Sequence, residues 1–484
     1  MLSNLFLAFA AVGSMALAQD ANVETVLGVY MFHRHGDRTP KSTPPASLTD
    51  LGYSQVYTSG QYYRNRYIAP DATLRINGIN ADIVKQSQIM VSAPDDTVLQ
   101  NSATGFLQGL YPPVGSTLGS ATLRNGSTVT APLDGYQLIP VEESTHGAGS
   151  EDNTWLQSAS GCAQAIVSSN EYFSSKEYTD LLASTQSFYD SIYPVINGTF
   201  NASQNSFKNA YTIYDLIHVA EIHNQTIPSS NLLTDDVLFQ LRTLADAHEW
   251  GLAYNASSDA RAIAGKTLAG QIVEFLNTTL TSRGKTKIGV QFGAYGTFAS
   301  FFGLADLPSV NSDFRGVADY ASVMTFELFT NSSVAVSSAE YPSTDDAYVR
   351  FLFHNGTTTE QSEPVAYPLF GSGQEVLSWD DFASGMGKFV VRDTEEWCTA
   401  CGNSTSTCAA YGSSGDDGDS SASAEGHEAG NGLSPVVNGV IGAMVTLAVV
   451  LGLEALILVF GGFRVVSKKS LARDVAFQKG VPKA

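Results

Sequence analysis

Apolar positions follow two different spacings between residues 26 and 370. An apolar run at residues 26–30 predicts a short buried strand. Apolar residues three and four positions apart predict long helices at residues 236–254 and 258–282, and a second strand that ends at Phe292 follows directly. Between residues 320 and 370 the composition shifts to β-branched and aromatic residues with turn signals, which predicts outer strands. Helices are therefore expected between the first strand and the later ones.

Both ends of the chain carry long apolar runs. Residues 1–18 are apolar and end in an Ala-x-Ala cleavage pattern, which indicates a signal peptide. Residues 436–463 are apolar except for one glutamate, and basic residues follow, which predicts a transmembrane helix with residues 464–484 as a cytosolic tail. Residues 411–435 are rich in Gly, Ser, Asp and Glu, which is typical of a flexible stalk. We therefore expect a single-pass type I membrane protein of the secretory pathway, with residues 19–410 as its ectodomain.

Composition and charge restrict the classes of partner. The 484 residues are 43% hydrophobic, which is ample for a buried core, and the formal net charge is -21. Such a charge argues against nucleic acid as a partner and, weakly, against highly phosphorylated substrates. Nine Asn-x-Ser/Thr sequons indicate that the secreted chain carries N-glycans; they lie at Asn125, Asn197, Asn201, Asn224, Asn255, Asn277, Asn331, Asn355 and Asn403.

The chain has four cysteines, namely Cys162, Cys398, Cys401 and Cys408. In an oxidising compartment we expect two disulfides, and three pairings are possible. A zinc or redox site at the Cys-x-x-Cys pair is the alternative, but no second Cys or His pair supports it. His218 and His223 are five residues apart and do not share a helix face, so they do not suggest a metal either. We expect neither a metal nor a cofactor.

The clearest chemistry follows the first predicted strand, in the string Arg34-His35-Gly36-Asp37-Arg38-Thr39-Pro40. The planar guanidinium groups of Arg34 and Arg38 can neutralise phosphate oxygens, which makes both candidate phosphate ligands. His35 can attack phosphorus with its neutral imidazole and form a phosphohistidine that water cleaves. Gly36 would let the backbone turn tightly beside the ligand. An ordinary histidine beside two surface arginines is the alternative, and the complete string favours the phosphate site.

This string resembles the signature of the histidine acid phosphatases, the branch of the histidine phosphatase superfamily that includes the phytases. The likeness continues more loosely at residues 48–55, 60–67, 102–110, 348–355 and 379–382. The resemblance implies a phosphoglycerate-mutase-like α/β fold, in which helices flank a mostly parallel sheet. It also implies an inserted helical subdomain, which we place at about residues 115–283. The implied substrate is a small phosphomonoester.

The chain departs from the family pattern at two places. Members usually carry a third phosphate-binding arginine where this chain has Val98, and a His-Asp pair where it has Ala294 and Tyr295. The aspartate of that pair protonates the leaving alcohol. Tyr295 is the residue in position to replace it, although an unperturbed phenol titrates near pH ~10 and is a poor acid. Three acidic residues are further candidates, namely Asp37, Asp95 and Asp96.

The resemblance therefore implies a weak enzyme. We expect acid phosphatase-like hydrolysis of phosphomonoesters through His35, with the general acid missing. Such a loss typically costs about 10² to 10⁴ in rate, and each missing charge-stabilising donor costs on the order of 10² to 10³. The alternative is an inactive pseudophosphatase that serves as a cell-surface binding or scaffolding glycoprotein. An enzyme would still cleave an ester with a good leaving group, whereas a pseudophosphatase would bind phosphate without turnover.

Overall fold

The computed structural model describes residues 24–143, 161–223, 225–332 and 340–411. The expected signal peptide and transmembrane helix, and all but the first residue of the expected stalk, lie outside these ranges. Within them, no helix is both long and apolar enough to span a bilayer.

The described residues form ten strands and thirteen α-helices. The strands are β1 (Thr25–Arg34), β2 (Ile89–Ala93), β3 (Ser120–Thr122), β4 (Thr128–Thr130), β5 (Glu142–Glu143), β6 (Ile288–Gly293), β7 (Val323–Thr330), β8 (Ala347–His354), β9 (Val365–Ala366) and β10 (Val376–Ser378). The helices are α1 (Asp50–Tyr67), α2 (Thr97–Leu110), α3 (Gly115–Leu118), α4 (Pro132–Gly135), α5 (Ala163–Tyr172), α6 (Lys176–Ser184), α7 (Gln186–Ile196), α8 (Ala210–Ile222), α9 (Asp235–Ala253), α10 (Ile263–Thr281), α11 (Tyr295–Leu304), α12 (Trp379–Gly387) and α13 (Thr394–Cys401).

The central sheet is half parallel and half antiparallel. Its strand order is β10-β8-β7-β1-β6-β2-β5, and β9 pairs with β8. Strand β1 runs parallel to β6, β6 to β2, and β2 to β5, whereas β7, β8, β9 and β10 pair antiparallel. The expectation of a mostly parallel sheet is therefore wrong. Strands β7 and β8 follow one another along the chain and pair directly, and an antiparallel pair does not need the crossover connection that a parallel pair requires.

Strand β1 lies at the centre of a three-layer arrangement. Nine of its ten residues are buried, which explains its continuous apolar run. Tyr30 and Phe32 face the layer formed by α10, α11 and α12, and Val29 and Met31 face the layer formed by α1 and α2. Successive side chains of a strand point to opposite faces, so β1 supplies both hydrophobic cores.

The expected helices and outer strands are confirmed. Helix α9 covers the first predicted segment, α10 covers most of the second, and β7 and β8 lie in the predicted β-rich region. Helices α6 to α9 share a hydrophobic cluster of their own, which includes Tyr189, Phe207 and Leu241. This separate cluster is consistent with an inserted helical subdomain, whose boundaries remain a prediction.

Two disulfides join the four cysteines. Cys162 is bonded to Cys401 across 239 residues of sequence, and Cys398 is bonded to Cys408. The first of these bonds ties the start of α5 to the end of α13. The alternative of a zinc or redox site at the Cys-x-x-Cys pair is wrong, because both of its cysteines are bonded to other partners.

Candidate active site

His35 follows β1 at the edge where β1 and the parallel strand β6 end side by side. Arg34 stands opposite Gly293 in the register, which places the residues after both strands close together. The side chain of His35 is buried, and its Nδ1 lies 2.8 Å from the carbonyl oxygen of Gly36. A carbonyl oxygen can only accept, so Nδ1 carries the proton, and in the neutral imidazole Nε2 then carries the lone pair. His35 therefore holds the tautomer that an attack through Nε2 requires.

Glycine is required at Gly36 by the close approach of two backbones. A Cβ atom there would lie 2.2 Å from the carbonyl oxygen of Gly52 in α1. Gly36 is not among the glycines with a positive φ, so the contact rather than a left-handed conformation excludes other residues. Its N–H donates to Oγ of Ser102 in α2 at 3.2 Å. The loop that carries His35 is thus held between α1 and α2.

The guanidinium of Arg34 is enclosed by aromatic rings. Its Cζ lies 4.6 Å from the ring centroid of Tyr320 and 5.3 Å from that of Tyr295. Nη1 donates to the carbonyl oxygen of Ala318, and Nη2 donates to Oη of Tyr211 at 3.5 Å. Arg34 is 4% exposed, and its buried Nε–H has no hydrogen-bond partner among the described residues. An unsatisfied buried donor is costly, so this N–H is suited to receiving an anion.

Arg38 is paired with a carboxylate of α8. Its Nη1 lies 3.0 Å from Oδ1 and 3.2 Å from Oδ2 of Asp215, and its Nη2 lies 3.3 Å from Oη of Tyr211. The backbone N–H of Lys41 and the hydroxyl of Tyr320 also donate to Asp215, at 2.8 and 3.4 Å. The side chains of Arg38 and Asp215 are 1% and 2% exposed. The charge of the second signature arginine is therefore compensated inside the protein.

A small cavity lies between Arg34 and helix α8. The cavity that Arg34, Asp215 and His218 help to line has a volume of about 10 Å³, which holds about one water molecule. Burial lowers the pKa of His218 and raises the pKa of Tyr211 and of Tyr320, so it favours the neutral imidazole and the protonated phenols. Side chains around Arg34 must move before a phosphate group can enter this cavity.

Tyr295 lies beside Arg34, but its hydroxyl is directed at a carboxylate. It donates to Oε2 of Glu249 at 2.8 Å, and Oε1 of Glu249 lies 2.8 Å from Nδ1 of His248. The ring of Tyr295 packs on that of Tyr211, with centroids 4.6 Å apart. The structure thus places the ring of Tyr295 beside the guanidinium of Arg34, with the phenolic proton directed at Glu249.

The other candidate acids have structural partners or lie at the surface. Asp96 caps α2 and accepts from the N–H of Val98, which is buried at the place of the family's third arginine. Asp95 is exposed. Oδ2 of the buried Asp37 lies 2.6 Å from Nε2 of His223, which connects the signature to the end of α8. Among the described residues, no group of three or more His, Cys, Asp or Glu side chains is placed to hold a metal ion.

Sequence reasoning missed the contribution of α8. Tyr211, Asp215 and His218 are spaced by four and three residues, which places them on one helix face, and that face meets both signature arginines. The five-residue spacing of His218 and His223 argues against a shared metal ion but does not identify their partners. Their partners lie elsewhere, because His223 binds Asp37 and His218 packs between tyrosine rings.

The chain is similar to known acid phosphatases in sequence and to a phytase in fold. Human prostatic acid phosphatase (Homo sapiens) is 24% identical over 414 residues, which cover 82% of this chain and 92% of that protein. Human lysosomal acid phosphatase is 25% identical over 320 residues, or 63% of this chain and 67% of the relative. The phytase of Citrobacter braakii is similar in fold, with a TM-score of 0.51 and 15% identity, over 78% of this chain and 99% of the phytase.

The family match covers more than half of the chain. The sequence model described as "Histidine phosphatase superfamily (branch 2)" matches residues 44–354. This match begins after Pro40, so it is independent of the signature string that first suggested the resemblance. The protein therefore belongs to branch 2 of the histidine phosphatase superfamily.

Proposed function

We propose that the protein is a phosphomonoester hydrolase that acts through a phosphohistidine at His35. The observation that carries this proposal is the hydrogen bond from Nδ1 of His35 to the carbonyl oxygen of Gly36, which leaves the lone pair on Nε2. The guanidinium groups of Arg34 and Arg38 flank this residue in sequence and share contacts with Tyr211. Membership of the family and the likeness to two acid phosphatases support the same chemistry.

The reaction takes two displacements at phosphorus. Nε2 of His35 attacks the phosphorus atom, and the bond from phosphorus to the ester oxygen breaks. That oxygen leaves with the bonding electrons and takes up a proton from water. Water then attacks the phosphohistidine, the bond from phosphorus to nitrogen breaks, and phosphate is released. Arg34 stabilises the charge on the phosphoryl oxygens in both steps. Arg38 contributes less, because the carboxylate of Asp215 offsets its positive charge.

Protonation of the leaving group is the weak step of this mechanism. The proton of Tyr295 is directed at Glu249, and Ala294 supplies no titratable group. We propose that esters with acidic leaving groups are cleaved readily and that alkyl esters are cleaved about 10² to 10⁴ more slowly than by an enzyme with its general acid in place.

We further propose that the protein acts as a membrane-anchored glycoprotein of the secretory pathway. The apolar segment at residues 436–463, the signal-like residues 1–18 and the nine sequons support this placement. The two disulfides fit an oxidising compartment. One of the relatives is named for the lysosome.

A pseudophosphatase is the second candidate, and one feature of the site favours it. Arg38 is already paired with Asp215, so one of the two signature guanidinium groups is less available to an anion. In this case the protein would retain a partly occupied anion site and serve as a cell-surface binding or scaffolding protein.

Hydrolysis of p-nitrophenyl phosphate and glycerol phosphate tests the proposal, measured from acid to neutral pH on the full-length protein in mild detergent. His35→Ala should abolish turnover of both esters while leaving the thermal unfolding transition in place. Tyr295→Phe should leave the rates on both esters nearly unchanged, because the proton of Tyr295 is directed at Glu249 and not at the leaving group. A loss restricted to the alkyl ester would instead identify Tyr295 as the proton donor.

The two candidates give opposite results in this assay. Equal background rates in the wild-type protein and in His35→Ala, together with binding of vanadate, would exclude the enzyme and favour the pseudophosphatase.

A further inference from the structure

Arg38, one of the two arginines that would bind the substrate phosphate, is already paired with Asp215, a carboxylate of the same chain. Asp215 meets Nη1 of Arg38 with both oxygens, at 3.0 and 3.2 Å, and it accepts a hydrogen bond from Tyr320. The ring of Tyr320 also packs against the ring of His35, with centroids 5.6 Å apart. One side chain therefore separates Asp215 from the nucleophile.

Arg34 has a different environment. Among the described residues, it donates hydrogen bonds to a carbonyl oxygen and a phenol oxygen and packs on two tyrosine rings, none of which carries a full negative charge. Within the part of the chain that the structure describes, Arg38 is thus in a direct ion pair with a carboxylate, whereas Arg34 is not. A second negative charge on a bound phosphate would be attracted by Arg34 and repelled by the carboxylate of Asp215.

We infer that Asp215 makes the site selective for phosphate groups that carry a single negative charge. This inference rests on the proposed function, since it specifies the charge state of the substrate at the same site. Phosphate monoesters lose their second proton near pH ~6, so the preferred form of the substrate predominates at acid pH. The net charge of -21 acts in the same direction against polyanionic substrates.

Other titratable groups face the same site, and their effects on anion binding must be distinguished from that of Asp215. His218 lies one turn further along α8, and His35 lies against Tyr320. The remaining charged residues around the carboxylate are Arg34, Arg38, Lys41, Arg242 and Asp319. Protonation of a histidine would strengthen the binding of every anion at acid pH, whereas the effect of Asp215 depends on the charge of the anion. Anions of fixed and of variable charge therefore distinguish the two causes.

Calorimetric titration of the full-length protein in mild detergent tests this selectivity without requiring turnover. The probes are inorganic phosphate, which changes from mainly monoanion to mainly dianion between pH 5 and pH 8, and sulfate, which is a dianion at both. We expect phosphate to bind about tenfold more weakly at pH 8, because about a tenth of it is then singly charged. Sulfate should bind weakly at both pH values. Equal affinity for phosphate at both pH values, or sulfate binding as tight as that of phosphate at pH 5, would overturn the inference.

The variant Asp215→Asn removes the charge and nearly preserves the shape of the side chain. It should bind sulfate, and phosphate at pH 8, at least about tenfold more tightly than the wild-type protein, with little change for phosphate at pH 5. Glu327→Gln is the matched control, because Glu327 is a buried carboxylate paired with Arg66 and Arg350 rather than with the signature. This variant should keep the wild-type preference for phosphate at pH 5 over sulfate and over phosphate at pH 8. If Asp215→Asn does not fold, the comparison of the two anions on the wild-type protein decides the question.

Turnover separates a failure of this inference from a failure of the proposed function. Hydrolysis that depends on His35, combined with equal binding of both anions, would overturn the charge selectivity alone. Absence of both hydrolysis and anion binding would overturn the inference and the proposed function together.

Discussion

Replacement of Arg350 by methionine should destabilise the fold through a buried carboxylate far from the signature. Glu327 on β7 is fully buried, and Nε of Arg350 donates to its Oε2 at 2.7 Å. Oε1 of Glu327 accepts from Nε and Nη2 of Arg66 at 3.1 and 2.9 Å and from the hydroxyl of Tyr67. Arg350 also binds Glu24, so two carboxylates and two guanidinium groups balance one another. The variant leaves one excess negative charge in this cluster.

The expected cost follows from what remains. Breaking a buried ion pair by removing one partner costs about 3–5 kcal/mol, but Arg66 stays bound to Glu327 and reduces the loss. Hydrogen bonds to charged groups contribute about 1.5–3 kcal/mol each. We therefore expect Arg350→Met to lower the free energy of unfolding by about 3 kcal/mol, which is a large part of the usual total of about 5–15 kcal/mol.

Urea unfolding of the full-length protein, followed by tryptophan fluorescence, measures this change. Arg392→Met is the control, because Arg392 pairs with Glu396 at 3.0 Å on the surface, where the two side chains are 61% and 40% exposed. Such exposed pairs contribute about 0–1 kcal/mol. Arg350→Met should also cost much less in a Glu327→Gln background, where the buried charge is absent. Equal losses in the two arginine variants, or additive losses with Glu327→Gln, would refute the reasoning.

Two further predictions concern packing and pH. Gly60→Ala should lower the free energy of unfolding by about 1–3 kcal/mol or more, because its Cβ would lie 2.1 Å from the carbonyl oxygen of Phe106 across the contact of α1 with α2. Urea unfolding should show no such loss for Gly387→Ala, which meets nothing within 4 Å, and equal losses would contradict this account. Burial lowers the pKa of His33 to about 4, so the unfolded chain binds more protons than the folded protein as the pH falls below 6.5, and stability is lost on acidification. His33 should account for about 2 kcal/mol of the difference in unfolding free energy between pH 7.5 and pH 5. His33→Phe should reduce the difference in unfolding free energy between the two pH values by about 2 kcal/mol. An unchanged pH dependence would be the contrary result.

The sequence by itself identified the features that depend on residues close together along the chain. The apolar run before Arg34 predicted β1, because a strand buried on both faces needs apolar residues at successive positions. Helical spacing predicted α9 and α10, since one face of each packs against other elements. The signature string pointed to His35 and its two arginines because the chemistry of phosphate needs those residue types close together along the chain.

Only the tertiary structure decided which distant residues face the signature. Asp215 meets Arg38 across 177 positions and His223 meets Asp37 across 186 positions, and both contacts depend on how α8 packs over the end of β1. The antiparallel half of the sheet and the pairing of the cysteines were likewise undetermined by local pattern. The reason is physical. Periodicity reports which side of an element is buried, whereas the partner on that side is selected by the packing of the whole chain.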